Sequence, residues 1–470
     1  MKHLFFSIRS LVLAVLLIGI THTAVGWTGG TTEDGILYEV YITGEKYNAV
    51  ADSAYVGYNN QSNTVGPIAN IASSVTYSYS WTELVGYDIN NKPIYETITR
   101  NLTAPVIGIK DGYCEQTNNG SVWHTAFQGL LGVNIPNTIK HIGSYAFRMN
   151  KKLSSVNIPN SVTTIGVGAF AYCDSLSNVN IPNSVTKIND KTFYSDYSLT
   201  NIEIPNSVTY IGESAFLSCT SLLRINLPNS LTYIDNEAFQ NCLGLNGELI
   251  IPNSVTYIGE GAFAGCRGLT GGLTIPNSIT TISNRTFVGC SGLSSLNLSN
   301  SVTSIGKYAF SGCSGLTDLS IPNSVITIDN YAFYNCTGLI NASIGESVTT
   351  IGDWAFYKCS KLSNISSLAT TPPSAQSNSF SNYSASLNIP AASIEAYQTT
   401  APWSNFTNIV GINEPGDVNG DGGINISDVT SLIDLLLSGG EIPAGADVNG
   451  DGHVDISDVT ALIDRLLNGN

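Results

Sequence analysis

A repeat of 23 or 24 residues constrains the fold of this 470-residue chain more than any other feature. The segment IPNSVTYIG occurs at residues 204–212 and again, letter for letter, at 251–259. Related segments begin at Ile135, and a degenerate tenth copy begins at Ile344. One unit is too short to bury its own apolar side chains, so neighbouring units must stack and bury them together. The period therefore predicts a solenoid of about ten rungs.

The repeat unit reads L-x-x-V-x-I-P-N-S-V-T-x-I-G-x-x-A-F-x-x-C, and its parts have structural reasons. The V-x-I segment alternates, as a strand with one face turned inward does. Proline then ends the strand because it has no N–H for the ladder, and asparagine favours the turn that follows. We therefore expect an α+β multidomain protein whose main part is a β-solenoid of leucine-rich-repeat type.

The segments before the repeats predict export and a capped solenoid. Residues 1–26 read as a signal peptide, with a basic start, an apolar run at 11–20 and small residues before a cleavage site after Gly26. The apolar run is shorter than the roughly 20 residues of a membrane span, so we expect no transmembrane anchor. Residues 27–124 lack the repeat and are β-rich, which predicts an amino-terminal cap over the first rung.

Eight of the nine cysteines occupy one column of the repeat, and only Cys114 lies outside it. The eight are Cys173, Cys219, Cys242, Cys266, Cys290, Cys313, Cys336 and Cys359. The absence of any C-x-x-C motif argues against zinc. Side chains in register on adjacent rungs keep their Cβ atoms further apart than a disulfide prefers. We expect reduced, buried thiols, with disulfides between rungs as the alternative.

No catalytic residues are evident in the sequence. The outward column of the strand is small and polar, without histidines or paired carboxylates. His124 and His141, the only histidines between the signal peptide and the acidic tail, lie in no catalytic signature. We therefore expect a non-enzymatic protein, although a pair of catalytic carboxylates stays open at this point. The net charge of −16 and the lack of a basic patch argue against nucleic-acid binding.

Two sets of aromatic residues line up in successive rungs and are candidates for binding a ligand. They are Tyr210, Tyr233 and Tyr257 in one column, and Tyr308, Tyr331 and Trp354 in another. Stacked rings give contact area at low entropic cost and suit a sugar chain or a partner protein. The alternative is packing between rungs that only stabilises the solenoid.

The acidic tail, residues 416–470, contains two segments that match a twelve-residue calcium loop. DVNGDGGINISD at 417–428 and DVNGDGHVDISD at 447–458 recur with a period of 30, and one amphipathic helix follows each. Two Ca²⁺ ions are therefore expected, which a disordered acidic tail would not explain. The predicted ligands are Asp417, Asn419, Asp421, Gly423, Asn425 and Asp428, and then Asp447, Asn449, Asp451, His453, Asp455 and Asp458, where Gly423 and His453 act through their carbonyls.

These residues resemble two known families. The repeats are similar to the BspA-like leucine-rich repeats of bacterial surface proteins over about 125–411, with 387–412 resembling the closing cap of that family. After a linker at 412–415, the tail resembles a type I dockerin, a small α-helical domain with EF-hand-like loops. The resemblance implies that the tail binds a cohesin-like protein. It assigns this contact to Ile426, Ser427, Ile433, Asp434, Ile456, Ser457, Ile463 and Asp464.

The sequence thus predicts a secreted or extracellular recognition protein, associated with a scaffold or the cell surface. The repeats would bind a protein, glycan or surface ligand, and the tail would dock in a calcium-dependent way. Two alternatives stay open. One is an adhesin whose tail is only a calcium-stabilised cap, and the other is a component of a polysaccharide-degrading complex.

Overall fold

The structure, a computed structural model, divides into two compact units at residues 1–245 and 246–470. The described residues are 130–468 without 414, 441 and 444, together with the backbone of eight strands between 25 and 124. The predicted signal peptide lies outside the described residues, apart from its last two positions.

The amino-terminal strands extend the ladder of the repeats on one side. Strands β1–β3 pair antiparallel in sequence order, β5 pairs antiparallel with β6, and β7 pairs antiparallel with β8. The strands are β1 (Val25–Gly29), β2 (Ile36–Thr43), β3 (Val50–Tyr58), β4 (Ile68–Asn70), β5 (Ser74–Tyr87), β6 (Pro93–Ile109), β7 (Tyr113–Thr117) and β8 (Gly120–His124). Strand β6 also pairs in parallel with the first repeat, where Ile109 lies opposite Ile142. The expected amino-terminal cap would make a contact of this kind.

Each rung of the first unit contributes up to two short strands, one from V-x-I and one from T-x-I. They are β9 (Gly132–Asn134), β10 (His141–Ile142), β11 (Ser155–Val156), β12 (Thr164–Ile165), β13 (Asn178–Asn180), β14 (Lys187–Ile188), β15 (Asn201–Glu203), β16 (Tyr210–Ile211) and β17 (Tyr233–Ile234). Pairing between rungs is parallel and steps by one repeat, as where Val179 lies opposite Ile202. The T-x-I ladder was not predicted, although its alternation of an exposed and a buried residue is the same signal.

The second unit continues the same pattern and adds a longer sheet. Its strands are β18 (Tyr257–Ile258), β19 (Gly271–Thr274), β20 (Thr281–Ile282), β21 (Leu293–Asn297), β22 (Ser304–Ile305), β23 (Asp318–Ile321), β24 (Thr327–Ile328), β25 (Asn341–Ile344), β26 (Thr350–Ile351), β27 (Asn364–Ser367), β28 (Ser386–Pro390) and β29 (Asn408–Ile412). One parallel sheet runs in the order β19, β21, β23, β25, β27, β28, β29, and a second runs in the order β20, β22, β24, β26.

The β-solenoid has about 12 turns, which corrects the predicted number of about ten. The additional turns come from the closing segment, where β28 pairs in parallel register with β27, and β29 with β28. Leu387 and Ile389 of β28 are fully buried, so the inward alternation persists after the Ile-Pro-Asn motif has disappeared. The motif marks the corner of a rung, whereas the alternation alone is enough for the strand to join the sheet.

Columns of phenylalanine fill the interior of both units. In the first unit Phe147, Phe170, Phe193, Phe216 and Phe239 stack with ring centroids 5.1 to 5.7 Å apart. In the second unit Phe263, Phe287, Phe310, Phe333, Phe356 and Phe380 do the same at 5.4 to 5.6 Å. Truncating a buried phenylalanine to alanine costs about 3–5 kcal/mol, so each ring stabilises its rung substantially.

The cysteine column lies beside the phenylalanines and satisfies backbone groups at the corners. All eight column cysteines are free and buried. Cys173 Sγ donates to the carbonyl oxygen of Phe147 at 3.2 Å, and six further thiols make the same contact at 3.1 to 3.3 Å. A thiol is therefore both a small apolar filler and an additional donor to a carbonyl that already accepts a backbone N–H within its turn.

Helices occur at the carboxyl end of the second unit. They are α1 (Ile394–Thr399), α2 (Ile426–Ser438) and α3 (Ile456–Asn468), with 3₁₀ turns at Ala391–Ser393 and Trp403–Asn405. The closing segment is held by two buried aromatics, because Trp403 Nε1 donates to the carbonyl of Pro373 and Tyr397 Oη donates to that of Ala369, both at 2.8 Å. Among the described residues, no helix has the length and apolar character needed to cross a membrane.

Candidate calcium and docking site

The two halves of the tail pack around one small apolar core. Its members are Val418, Val429, Leu432, Ala446, Val459 and Leu462. Val429 and Leu432 come from the inner face of α2, and Val459 and Leu462 come from that of α3. Each acidic loop ends where its helix begins. The core therefore fixes both loops relative to the helices that follow them.

The last acidic residue of each loop is buried and holds the loop closed. In the first loop the carboxylate of Asp428 accepts the backbone N–H of Asn419 at 3.1 Å and that of Asn425 at 2.9 Å. In the second loop Asp458 accepts the N–H groups of Val448 and Asn449 at 2.7 and 3.1 Å, and also that of Asp455. Each side chain thus joins the start of its loop to the start of its helix.

The start of α2 shows why the sequence ISD follows the loop. Asn425 is the N-cap, and its side chain accepts the backbone N–H of Ser427 at 2.8 Å. Asp428 returns the contact by accepting the N–H of Asn425, which completes a capping box. The negative charge of Asp428 also lies in the first turn, where the helix dipole favours it.

The first loop brings three carboxylates together. Asp417, Asp421 and Asp428 each offer an oxygen, and these atoms lie within 4.8 Å of one another. Asp417 and Asp428 are buried and Asp421 is exposed, so the cluster is open on one side. Three like charges this close repel one another unless a cation lies between them, and oxygen donors are what Ca²⁺ prefers. The donor set of the first loop therefore fits calcium.

Two further predicted ligands of the first loop fold inward and bond within it. Asn419 Nδ2 donates to Asp421 Oδ2 at 3.0 Å, and Asn425 Nδ2 donates to the carbonyl of Gly423 at 3.2 Å. These hydrogen bonds link Asn419 to Asp421 and Asn425 to Gly423 within the loop.

The second loop has the same fold but a looser acidic cluster. As Asp417 does in the first loop, Asp447 accepts backbone N–H groups, here those of Gly450 and Gly452 at 2.8 and 3.0 Å. Asn449 donates to Asp451 at 3.1 Å, as the equivalent residues of the first loop do. In the described part of the chain, only the first loop has three acidic groups within 4.8 Å of one another.

His453 and Asp455 occupy the remaining predicted positions of the second loop. The backbone N–H of His453 donates to the side chain of Asp451 at 2.9 Å. The side chain of Asp455 accepts the backbone N–H of Ser457 at 2.7 Å. The hydrogen bonds from the side chain and backbone of Ser457 lower the pKa of Asp455, so this group is a carboxylate at neutral pH.

The sharp turn of each loop requires glycine, but the two turns have different surroundings. Gly422 and Gly452 have φ of +86° and +83°, a conformation that L side chains rarely adopt. A Cβ on Gly422 would lie 2.8 Å from the Cβ of Ala392 in the closing segment of the solenoid, whereas nothing lies within 4 Å at Gly452. The turn of the first loop therefore lies against Ala392 in the closing segment, whereas the space at the turn of the second loop is open.

Both helices also carry an exposed apolar stripe that the tail core does not use. The stripe consists of Ile426, Ile433 and Leu437 on α2, and of Ile456, Ile463 and Leu467 on α3. Leu437 is 82% exposed and Leu467 is 78% exposed. Four of the predicted partner residues belong to the stripe, while Ser427, Asp434, Ser457 and Asp464 are exposed beside it. The two leucines were not predicted, but their spacing from Ile426 and Ile456 at i+11 places them on the same face.

Two family models match the sequence. The first, described as a BspA type leucine rich repeat region, matches residues 125–246, 246–363 and 310–414. The chain belongs to the BspA-type leucine-rich-repeat family. The second, described as a dockerin type I domain, matches residues 415–467, and domains of this type generally bind calcium. Both are non-catalytic module types that are typical of extracellular surface proteins, and together they support a protein-interaction role.

Solved structures with a similar fold include bacterial leucine-rich-repeat proteins. A leucine-rich repeat protein from Bacteroides ovatus is 24% identical, with 70% of this chain and 92% of that chain covered and a TM-score of 0.38. A leucine rich cell surface protein from Faecalibacterium prausnitzii is also 24% identical, with 74% and 96% covered and a TM-score of 0.38. The pneumococcal vaccine antigen PcpA is 15% identical, with 83% and 99% covered and a TM-score of 0.46. No curated protein matches the chain.

The candidate aromatic residues stack on one another. Tyr210 and Tyr233 lie 5.4 Å apart in the first unit, and Tyr257 is partly exposed in the second. Tyr308, Tyr331 and Trp354 form a continuous stack with centroid distances of 4.4 and 5.0 Å. Neighbouring rings therefore cover one another's faces within each stack, an arrangement that suits packing between rungs.

The second aromatic set also has an unusual backbone. Tyr308, Tyr331 and Trp354 have φ between 55° and 59°, which is costly for bulky side chains. Equivalent corners elsewhere carry glycine, as at Gly168 and Gly261. The stacking and the cation of Lys307, 5.6 Å above Tyr308, offset part of that cost.

The histidines show no catalytic arrangement in the described residues. His141 Nδ1 lies 2.7 Å from Thr164 Oγ1 in the next rung, which is a contact between neighbouring strands. His124 lies in β8, where only the backbone is described.

Proposed function

We propose that this chain is an extracellular recognition protein that a calcium-loaded dockerin attaches to a cohesin-type partner. The dockerin would hold two Ca²⁺ ions at the twelve predicted positions, and the repeats would present a ligand-binding surface. The observation that carries the proposal is the duplicated acidic loop, each copy leading into a helix with an exposed apolar stripe.

The exposed stripe is the main physical argument for a partner. The stripe leaves three large aliphatic side chains of each helix in water, although the same module buries six other apolar residues in its core. Burying a leucine or isoleucine contributes about 1.5–3 kcal/mol, so a partner that covers either stripe gains substantial affinity. Exposed apolar residues that cluster on one face are typical of interaction surfaces.

Calcium would act by fixing the start of each helix. Asp428 and Asp458 already hold loop and helix together, and an ion between the carboxylates would remove the repulsion inside each loop. Chelation would release that constraint at the end of the helix where Ile426 and Ile456 lie. Docking is therefore expected to depend on calcium.

A variant series tests the docking face. Placing aspartate at Ile426 and Ile456 puts charge into the stripe, so binding to a panel of immobilised cohesins with calcium present should fall at least tenfold. The control replaces Ser438 and Asn468 by aspartate, which adds the same charge on the exposed ends of α2 and α3 away from the stripe. Equal binding by both variants, or no calcium-dependent binding by the unmodified protein, would contradict the proposal.

The contact between Gly422 and Ala392 favours a second function for the same module, as a calcium-stabilised end cap of the solenoid. In that case calcium would raise the melting temperature of the repeats even without a partner. A melting temperature of the repeats that calcium leaves unchanged would restrict the module to docking.

A further inference from the structure

The longest outward sheet face of the second unit carries two columns of small polar side chains. Asp318, Asn341 and Asn364 lie in register on β23, β25 and β27. Ser320, Ser343 and Ser366 lie in register two residues further along the same strands. Between the columns, the intervening apolar residues point into the core. The six side chains line a shallow depression of about 380 Å³.

The first column is a chain of hydrogen bonds with a fixed direction. Asn364 Nδ2 donates to Asn341 Oδ1 at 2.8 Å, and Asn341 Nδ2 donates to Asp318 Oδ1 at 2.6 Å. Thr317 Oγ1 donates to the other oxygen of Asp318 at 2.7 Å. The hydrogen bonds from Asn341 and Thr317 lower the pKa of Asp318, which is therefore a carboxylate at neutral pH. The column is thus held in place before any ligand arrives.

The second column has unused hydrogen-bonding capacity. The hydroxyl groups of Ser320, Ser343 and Ser366 have no hydrogen-bond partner among the residues that the structure describes. The chain of bonds also leaves the second amide N–H of Asn341 and the Oδ1 of Asn364 available to a ligand. Donors and acceptors therefore face the solvent along both edges of the depression.

The spacing of these groups favours one class of ligand. Neighbouring strands lie about 4.8 Å apart, and residues two apart on a strand are about 7 Å apart, so the columns border a flat track one sugar ring wide. An extended chain of β-1,4-linked pyranoses advances by about the width of one ring per residue, which is close to the strand spacing. A peptide laid across the strands would present its groups about every 3.3 Å and lose register.

The charge of the face also limits the choice of ligand. The only charged group of the six is Asp318, which repels anionic polymers, and the lining of the depression includes no exposed large apolar side chain that would attract a lipid. From this geometry we propose that the sheet face from β21 to β29 binds a neutral, linear β-1,4-linked polysaccharide lying along the solenoid axis. This inference rests on the proposed recognition role of the repeats and names its ligand class.

The length of the face predicts how affinity should depend on the length of the sugar chain. Six strands separated by five spacings of about 4.8 Å make a track of about 24 Å, which corresponds to roughly six sugars. Because no aromatic ring supplies stacking in the depression, each sugar contributes only hydrogen bonds. Binding should therefore strengthen with each added sugar and level off at about six.

Titration calorimetry with neutral β-1,4-linked oligosaccharides of glucose, mannose and xylose, two to eight sugars long, tests this inference on the full chain. The expected result is length-dependent binding to at least one series, with an Asn341→Val, Asn364→Val double variant at least tenfold weaker. The matched control is the Asn178→Val, Asn201→Val double variant. These asparagines occupy the same column on β13 and β15, where no chain of hydrogen bonds links them.

Three results would overturn the inference: no binding to any series, equal loss in both double variants, or affinity that does not change with length. Capture of a protein ligand by the repeats, together with no binding of these sugars, would leave the recognition role intact and remove this inference alone. Unchanged melting temperatures of the double variants establish that any loss of binding is local.

Discussion

At the scale of single residues, one position breaks the chemistry of the solenoid core. Asp196 occupies the cysteine column and is fully buried between the rungs of Cys173 and Cys219. Its Oδ1 accepts the N–H of Cys173 at 2.8 Å, but its Oδ2 has no hydrogen-bond partner. Burial raises the pKa of Asp196 well above its usual value, because the charged form loses its hydration.

Replacing Asp196 by asparagine should stabilise the repeats. Asn150 occupies the same column, and its Nδ2 donates to the carbonyl of Phe147 at 2.8 Å. An asparagine at 196 can place an N–H donor where the unpaired Oδ2 of Asp196 now lies. A buried polar atom without a partner costs about 1–3 kcal/mol, and we expect a gain of that size at pH 7 by denaturant unfolding. Asp174→Asn, at a partly exposed neighbouring carboxylate, is the control and should change little.

The gain should depend on pH in a defined direction. The pKa of Asp196 is higher in the folded protein than in the unfolded chain, so folding of the unmodified protein is favoured at low pH. Its stability relative to the asparagine variant should fall as pH rises above about 4, the pKa of an unperturbed aspartate, and then level off. A variant that is less stable than the unmodified protein at pH 7 would contradict this account of the site.

At the scale of elements, the cysteine column behaves as a unit. Burial raises the pKa of Cys173, Cys219, Cys290, Cys313 and Cys336 well above the usual value, and raises that of Cys359 to about 12. The thiolate is the reactive form of cysteine. These thiols are therefore unreactive for two reasons, because burial keeps reagents away and because the raised pKa keeps them protonated.

The thiol column predicts low reactivity in the folded state and a loss of stability at alkaline pH. In a Cys114→Ser variant, native protein should react with a thiol reagent at pH 8 only after unfolding, when eight thiols become available. Above a pH of about 8.5 the unfolded thiols ionise, whereas the six folded thiols with a raised pKa stay protonated, so the free energy of unfolding should fall by up to about 1.4 kcal/mol per pH unit for each of the six. Rapid labelling of the native variant would contradict the buried column.

The elements also show which features the sequence could predict. The strand of each rung was predictable because V-x-I alternates along the repeats, and the two acidic loops were predictable because their side-chain oxygens recur at fixed spacing. The two final strands were missed as rungs because Leu387 and Ile389 keep the alternation without the corner motif. The stripe residues Leu437 and Leu467 were missed because they lie beyond the loop motif. Only the helical spacing places them on the same face as Ile426 and Ile456.

At the scale of the whole molecule, the interaction surfaces proposed for the repeats and the dockerin lie on different kinds of structure. The solenoid offers flat sheet faces whose outward residues can change without changing the fold. The dockerin offers helices whose position depends on two acidic loops. The asymmetry between the loops was beyond sequence reasoning, because Gly422 and Gly452 lie in nearly identical segments and differ only in what packs against them. The polar face of the second unit was hidden for a similar reason, since its hydrogen bonds join residues 23 positions apart.

The most direct test of the central claim is a pull-down from the envelope and secreted fractions of the producing organism. The baits are the protein with calcium, the protein with a chelator, and a chain that ends at Asn413, which keeps β29 whole. The account predicts a partner that is captured with calcium and lost both with the chelator and with the truncation. A partner that the truncated chain still captures in the chelator would contradict calcium-dependent docking and leave the repeats as the binding element.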